Sequence, residues 1–126
     1  MTKIRDDLTV QEISITSPGA ANAVPISLPT RYNIFLVTFP ATAGSSEYFV
    51  KLPDDANSAV GDWVEFHVVN RPFDYQTYDS LAAVDSDGND PYPTGAPLGG
   101  IATYAKPTTW TGALRKVGPN TWRRVI

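Results

Sequence analysis

Prolines and glycines break this chain at short intervals, and that spacing constrains its fold more than any other feature. Eleven prolines and nine glycines are spread through 126 residues, as punctuation between short β-rich runs rather than as one low-complexity tract. An interior proline costs a helix about 3 kcal/mol, and no sustained helical periodicity runs between the breaks. The expected class is all-β: an antiparallel sandwich, jelly roll or barrel of roughly eight short strands. The length suits a single domain, 1–126, with enough chain to bury a core without disulfides. Cysteine is absent, which removes a disulfide framework and thiolate metal sites.

Alternation within the runs assigns faces. "LTVQEISIT" (8–16) begins with Leu8, Val10 and Glu12 in one phase, after which the apolar phase moves to Ile13 and Ile15. Such a switch suggests a bulge or a strand that changes sheets. "PISLP" (25–29) carries proline at both ends and suits an edge. "RYNIFLVTFP" (31–40) is apolar in both phases, which predicts a central strand covered on both sides. In "EYFVKLP" (47–53) Tyr48, Val50 and Leu52 share a face. In "WVEFHVVN" (63–70) Val64, Phe66 and Val68 form the core face, with Trp63, Glu65 and His67 opposite.

From residue 71 to residue 100 the pattern fails. Four prolines, four glycines, three tyrosines and five aspartates leave at most a short helical turn around "YDSLAAV". Loops that long are uncommon in compact domains and usually functional or partner-bound, so 71–100 reads as an extended loop or arm. Three further strand candidates follow: "IATYAKP", "WTGALRKV" and "TWRRVI". The last two flank "GPN" and read as a closing hairpin. Alternation places Trp122, Arg124 and Ile126 on one face and Arg123 on the other, so the adjacent arginines do not form a phosphate clamp. A chain ending on this run is expected to tuck its last residues into the fold or against a partner.

Charge is polarised along the sequence. Residues 1–90 hold all thirteen acids against five basic residues, a balance of −8, while 91–126 hold Lys106, Arg115, Lys116, Arg123 and Arg124 with no acid, a balance of +5. Either the two ends neutralise each other across the sheets, or the polarity docks the chain onto an acidic neighbour. Nucleic acid is a poor partner for a chain of net charge −3. No apolar run approaches the roughly 20 residues of a membrane span, and the first residues lack an apolar signal region. No membrane partner and a cytoplasmic site of synthesis are therefore expected.

Candidate chemistry is sparse. His67 is the one histidine; with Glu65 two residues away it could support acid–base work or a pH switch, although a half-buried structural histidine is the commoner outcome. No motif supplies a nucleophile and its base. "DSDGND" (85–90) begins like a calcium loop, with Asp85, Asp87 and Asn89 at alternate positions. It then places Asp90 where an EF-hand needs glycine and Ala96 where it needs glutamate, so a solvated Asp-Gly turn is expected. Asp54 and Asp55 read as solubility residues, and no phosphate loop is present. No catalytic, cofactor-binding or metal residue is assigned. Aromatic side chains remain: core packing is the default for Trp63 and Trp122. Tyr75, Tyr78 and Tyr92, with Arg115, Arg123 and Arg124, are the candidate interface residues.

Two segments, "LPDDANSAVGDWVEFHVVN" (52–70) and "LRKVGPNTWRRVI" (114–126), carry a family resemblance. A strand ends in Leu-Pro, a loop of small residues leads to Val-Gly-Asp, the next strand ends in Val-Asn, and a Val-Gly-x-Asn-x-Trp hairpin closes the unit. This pattern is similar to β-modules of bacteriophage virion proteins: tail fibres, head fibres and capsid decoration (cement) proteins. The motifs mark strand turns, so no site residue is carried over. The resemblance implies a non-enzymatic structural protein of a virus particle, a trimer or dimer that contacts the major capsid protein or another virion protein. No attachment region or long shaft is visible in the sequence, so a decoration protein is the expected type. A receptor- or carbohydrate-binding tail-fibre module is the alternative.

Overall fold

A computed structural model describes residues 7–40, 47–69, 80–89 and 110–125. Its described strands run β1 (Leu8–Ser14), β2 (Val24–Pro25), β3 (Tyr32–Thr38), β4 (Glu47–Lys51), β5 (Trp63–Val68), β6 (Ser80–Val84), β7 (Trp110–Gly118) and β8 (Thr121–Arg124), with single 3-10 turns at Ala20–Asn22 and Asp55–Asn57. They form a five-stranded sheet, β1-β3-β5-β7-β8, and a three-stranded sheet, β2-β4-β6.

The all-β expectation holds, but the pairing corrects the expected antiparallel arrangement. β1 pairs with β3, β3 with β5, β2 with β4 and β4 with β6, all in parallel. Among the described strands, only β5–β7 and β7–β8 are antiparallel. Nor do the strands close into a barrel, because they divide between two sheets. Successive strands from β1 to β6 alternate between the sheets, so each strand reaches its parallel neighbour only after a strand of the other sheet. Parallel pairing needs a long crossover, and here the second sheet supplies it. The chain thus winds through three stacked coils before the β7–β8 hairpin ends the larger sheet with two antiparallel pairings.

Core faces follow the sequence alternation. Phe35, Val37, Val64, Phe66, Val68, Leu114 and Trp122 from the larger sheet join Tyr48, Val50, Leu81 and Ala83 from the smaller in one buried cluster. Phe35 and Phe66 are register partners whose rings stack at 5.4 Å, and Phe39 stacks on Tyr48 at 4.6 Å across the two sheets. Such aromatic pairs add about 0.5–1.5 kcal/mol beyond the area they bury. Asn33, wholly buried, donates from Nδ2 to the carbonyls of Thr30 (2.8 Å) and Trp63 (3.2 Å), tying β3 to β5.

Several local expectations change. The register of β1 with β3 is unbroken, so the phase switch is not a bulge. The inward phase is Thr9, Gln11 and Ile13, continuing to buried Ile15, and Leu8 and Val10 lie exposed on the outer face. β3 is central as expected, but its two faces differ: Phe35 and Val37 are buried, whereas Tyr32 is exposed and Ile34 and Leu36 are half-buried. "PISLP" contributes only Pro25 to the two-residue β2, which does occupy an edge. "YDSLAAV" holds no helical turn at its end. Ser80–Val84 is a strand, and Leu81, Ala82, Ala83 and Val84 are all buried. A run buried on both faces loses the alternation by which strands are recognised. The strand candidate "IATYAKP" lies outside the described residues.

Candidate interaction face

The outer face of the five-stranded sheet brings together the densest set of unusual side chains. Register fixes its rows: Leu8 beside Tyr32, Tyr32 beside Trp63, Trp63 beside Arg115, and Arg115 beside Arg123; then Val10 beside Ile34 and Ile34 beside Glu65; then Glu12 beside Leu36 and Leu36 beside His67. Leu8, Val10 and Tyr32 are 44, 56 and 43% exposed, and Ile34, Leu36 and Trp63 are half-buried. Contiguous apolar surface of this kind marks interaction sites. Trp63 therefore corrects the core expectation, which Trp122 meets: Trp122 is wholly buried and Trp63 is half-buried on the outer face.

Glu65 organises the middle of the face. Its Oε1 accepts from Trp63 Nε1 at 3.1 Å, and its Oε2 lies 2.6 Å from His67 Nε2. Strand geometry makes this possible, since residues two apart project from the same side. The His67 side chain is 34% exposed and that of Glu65 23%, so both members of the pair are half-buried. This arrangement ties the indole ring and the imidazole to one carboxylate.

Two shallow cavities meet on this face. One, of about 320 Å³, is lined by Leu8, Tyr32, Ile34, Trp63 and Glu65. The other, of about 300 Å³, is lined by Arg31, Tyr32, Gly61, Trp63 and Arg115. The guanidinium of Arg31 stands 5.8 Å from the Tyr32 ring centre and that of Arg115 5.9 Å from Trp63, within cation–π range. Gly61 at φ +98° makes the turn that delivers Trp63. Its N–H donates to Lys116 O (2.9 Å), and Trp63 N–H donates to Arg31 O (2.9 Å). A larger cavity of about 440 Å³ opens at the end of the small sheet among Pro25, Leu28, Pro29, Pro53 and Asn57.

The basic residues of the C-terminal third meet different fates. Lys116 is 3% exposed, and its ammonium donates to Asp55 Oδ1 (2.6 Å) and Ser58 Oγ (2.7 Å). Asp55 Oδ1 also accepts from Asn120 N–H at 2.7 Å. The Lys116 ammonium, then the Asn120 N–H, hold the Asp55 carboxyl below its ordinary range, against a smaller opposing push from burial. Asp55 is thus a clamp rather than a solubility residue, and Asp54 caps the 3-10 turn by accepting from Asn57 N–H at 3.1 Å. Arg115 and Arg123 point outward from the larger sheet; Arg124 is half-buried on the side of Trp122. Tyr75, Tyr78 and Tyr92 lie outside the described residues.

In the 85–90 segment, Asp85 is buried and its Oδ1 accepts from the N–H groups of Asp87 and Asn89, both at 2.9 Å; Asn120 Nδ2 donates to its Oδ2 at 3.2 Å. The carboxylate is consumed by a turn with Gly88 at φ +81°; Asp85 anchors it from the buried side, while Asp87, Gly88 and Asn89 are exposed, as a solvated Asp-Gly turn requires. Among the described residues no group of three or more His, Cys, Asp or Glu is placed to hold a metal ion, and no helix is long and apolar enough to cross a membrane.

Sequence reasoning missed Arg31 and Tyr32, and missed that Leu8 and Val10 face solvent. The β1 phase switch was the available signal. Comparison with protein-family models, with curated proteins and with solved structures finds no match.

Proposed function

We propose that this chain is a non-enzymatic structural protein of a bacteriophage particle, a capsid decoration or cement protein that binds the head and stabilises it. The observation that carries the reading is the open outer face of the larger sheet, where Leu8, Val10, Tyr32, Ile34 and Trp63 form one surface. A stable partner interface needs about 800 Å² per side, and a sheet face of this composition suits one. The two segments that carry the virion resemblance also lie together in space. Lys116 and Asn120 of the second bond to Asp55 of the first, and Trp63 stands beside Arg115, so the resemblance covers a single structural unit.

In this reading the partner is the major capsid protein or another virion protein, the chain assembles as a trimer or dimer, and it resides in the virion. The core shared by both sheets supports a two-layer sandwich as the body. Binding stabilises the head by mass action, as any ligand of a native state does. The expected result is co-sedimentation with purified heads in stoichiometric amounts, with a rise in head melting temperature; absence from purified particles refutes the proposal. A second reading rests on Tyr32 and Trp63, adjacent aromatic rings that could stack on a sugar. A glycan array without saturable binding removes it.

A further inference from the structure

The geometry points to the Arg31–Arg115 cleft as a carboxylate-binding site, which captures an acidic side chain flanked by apolar residues on a partner protein. Arg31 and Arg115 are both exposed and converge on one cavity with the Tyr32 and Trp63 rings. Among the described residues neither guanidinium is ion-paired with a carboxylate, and each lies over an aromatic face. The contrast with Lys116 is instructive, because that cation is buried and matched to Asp55. Guanidinium groups present planar donor forks that fit carboxylates in bidentate fashion, and a ring behind each one limits its rotamers before the ligand arrives.

The second cavity fixes what surrounds the carboxylate. It shares Tyr32 and Trp63 with the cationic cleft and continues along the sheet to Leu8 and Ile34. A ligand that fills both must be amphipathic, with its acid between the arginines and an apolar neighbour over Leu8 and Ile34. Nucleic acid fits less well. Duplex DNA carries one charge per about 1.7 Å of its axis, whereas this face offers a short cationic end and then Glu65 and Glu12 along the adjoining rows. A single carboxylate between the guanidinium groups occupies a cavity lined by Arg31, Tyr32, Gly61, Trp63 and Arg115, with Glu65 lining only the adjoining one.

This inference rests on the reading that the outer face meets a protein, but not on the identity of that protein. A peptide experiment on the isolated chain can fail while co-sedimentation with heads succeeds, and the reverse. The full ¹⁵N-labelled chain is titrated with acetyl-Gly-Leu-Glu-Leu-Gly-amide, with its Gln counterpart, with inorganic phosphate and with a ten-residue oligothymidylate, following arginine Nε–H and tryptophan indole resonances. The Glu peptide is expected to give saturable shifts at Arg31, Arg115 and Trp63, with at least fivefold weaker binding for the Gln peptide and for Arg31→Gln or Arg115→Gln. Lys51→Gln, on the other sheet, should bind within twofold of the parent, and circular dichroism should show all variants folded. No saturable shift, unchanged affinity in the arginine variants, or tighter binding of phosphate or oligothymidylate than of the Glu peptide overturns the assignment. So does concentration-dependent dimerisation abolished by Arg31→Gln, which would place a second copy of the chain in the cleft.

Discussion

Trp122 offers a test in which area and hydrogen bonding pull in opposite directions. Its ring is wholly buried in the shared core, and among the described residues its Nε1 has no hydrogen-bond partner. A buried tryptophan withdraws about 150–250 Å² from water. At about 25 cal/mol per Å² that is worth roughly 4–6 kcal/mol. The unpartnered N–H offsets about 1–3 kcal/mol of this, leaving a net contribution near the usual cost of a buried Trp→Ala change, about 3–5 kcal/mol. Trp122→Ala should therefore consume much of the total stability, which for a native domain is about 5–15 kcal/mol. Trp122→Phe keeps most of the ring, giving up about 1–2 kcal/mol of apolar burial, while removing an orphaned donor of similar cost. The two effects nearly cancel, so this variant should lie within about 1 kcal/mol of the parent. Urea unfolding followed by far-ultraviolet circular dichroism measures both. If Trp122→Phe costs as much as Trp122→Ala, the indole N–H is satisfied and the reasoning fails. Ending the chain after Thr121 removes the same ring together with β8, and should leave no cooperative transition at all.

Three further outcomes are open to measurement. Asp55 has a folded-state pKa below its unfolded value; its stabilising effect is complete above the unfolded value and lost as pH falls through the folded one. Asp55→Asn should accordingly flatten the decline in stability below about pH 4, and an acid limb parallel to the parent's would refute the clamp. Asn120 sits at φ +46° and bonds Asp85 through its side chain. Asn120→Gly keeps the backbone favourable and loses only the side chain, so Asn120→Ala should be the less stable of the two by about 1 kcal/mol in thermal melts; equal melting temperatures would contradict the left-handed assignment. Phe66→Ala removes the partner of the Phe35 stack from a fully buried site and should cost about 3–5 kcal/mol in urea titrations, whereas a cost under 1 kcal/mol would mean that this ring is not core.

Much of the local structure was determined by the sequence alone. Alternation placed Val64, Phe66 and Val68 inward and Glu65 with His67 outward, because successive side chains of any strand project to opposite faces. The Gly-Pro-Asn turn closed the last hairpin, and the two arginines separated as strand geometry requires. Tertiary structure decided strand direction and partners. Alternation is the same in parallel and antiparallel strands, so nothing in "RYNIFLVTFP" indicates that β3 runs parallel to both neighbours. β6 was illegible for a related reason, since burial on both faces erases the periodic signal. Lys116 and Asp55, sixty-one residues apart, became a pair only because the second coil's loop packs on the closing hairpin. The interaction face has the same origin: Leu8, Tyr32, Trp63 and Arg115 come from four strands, and only their register sets them in one row.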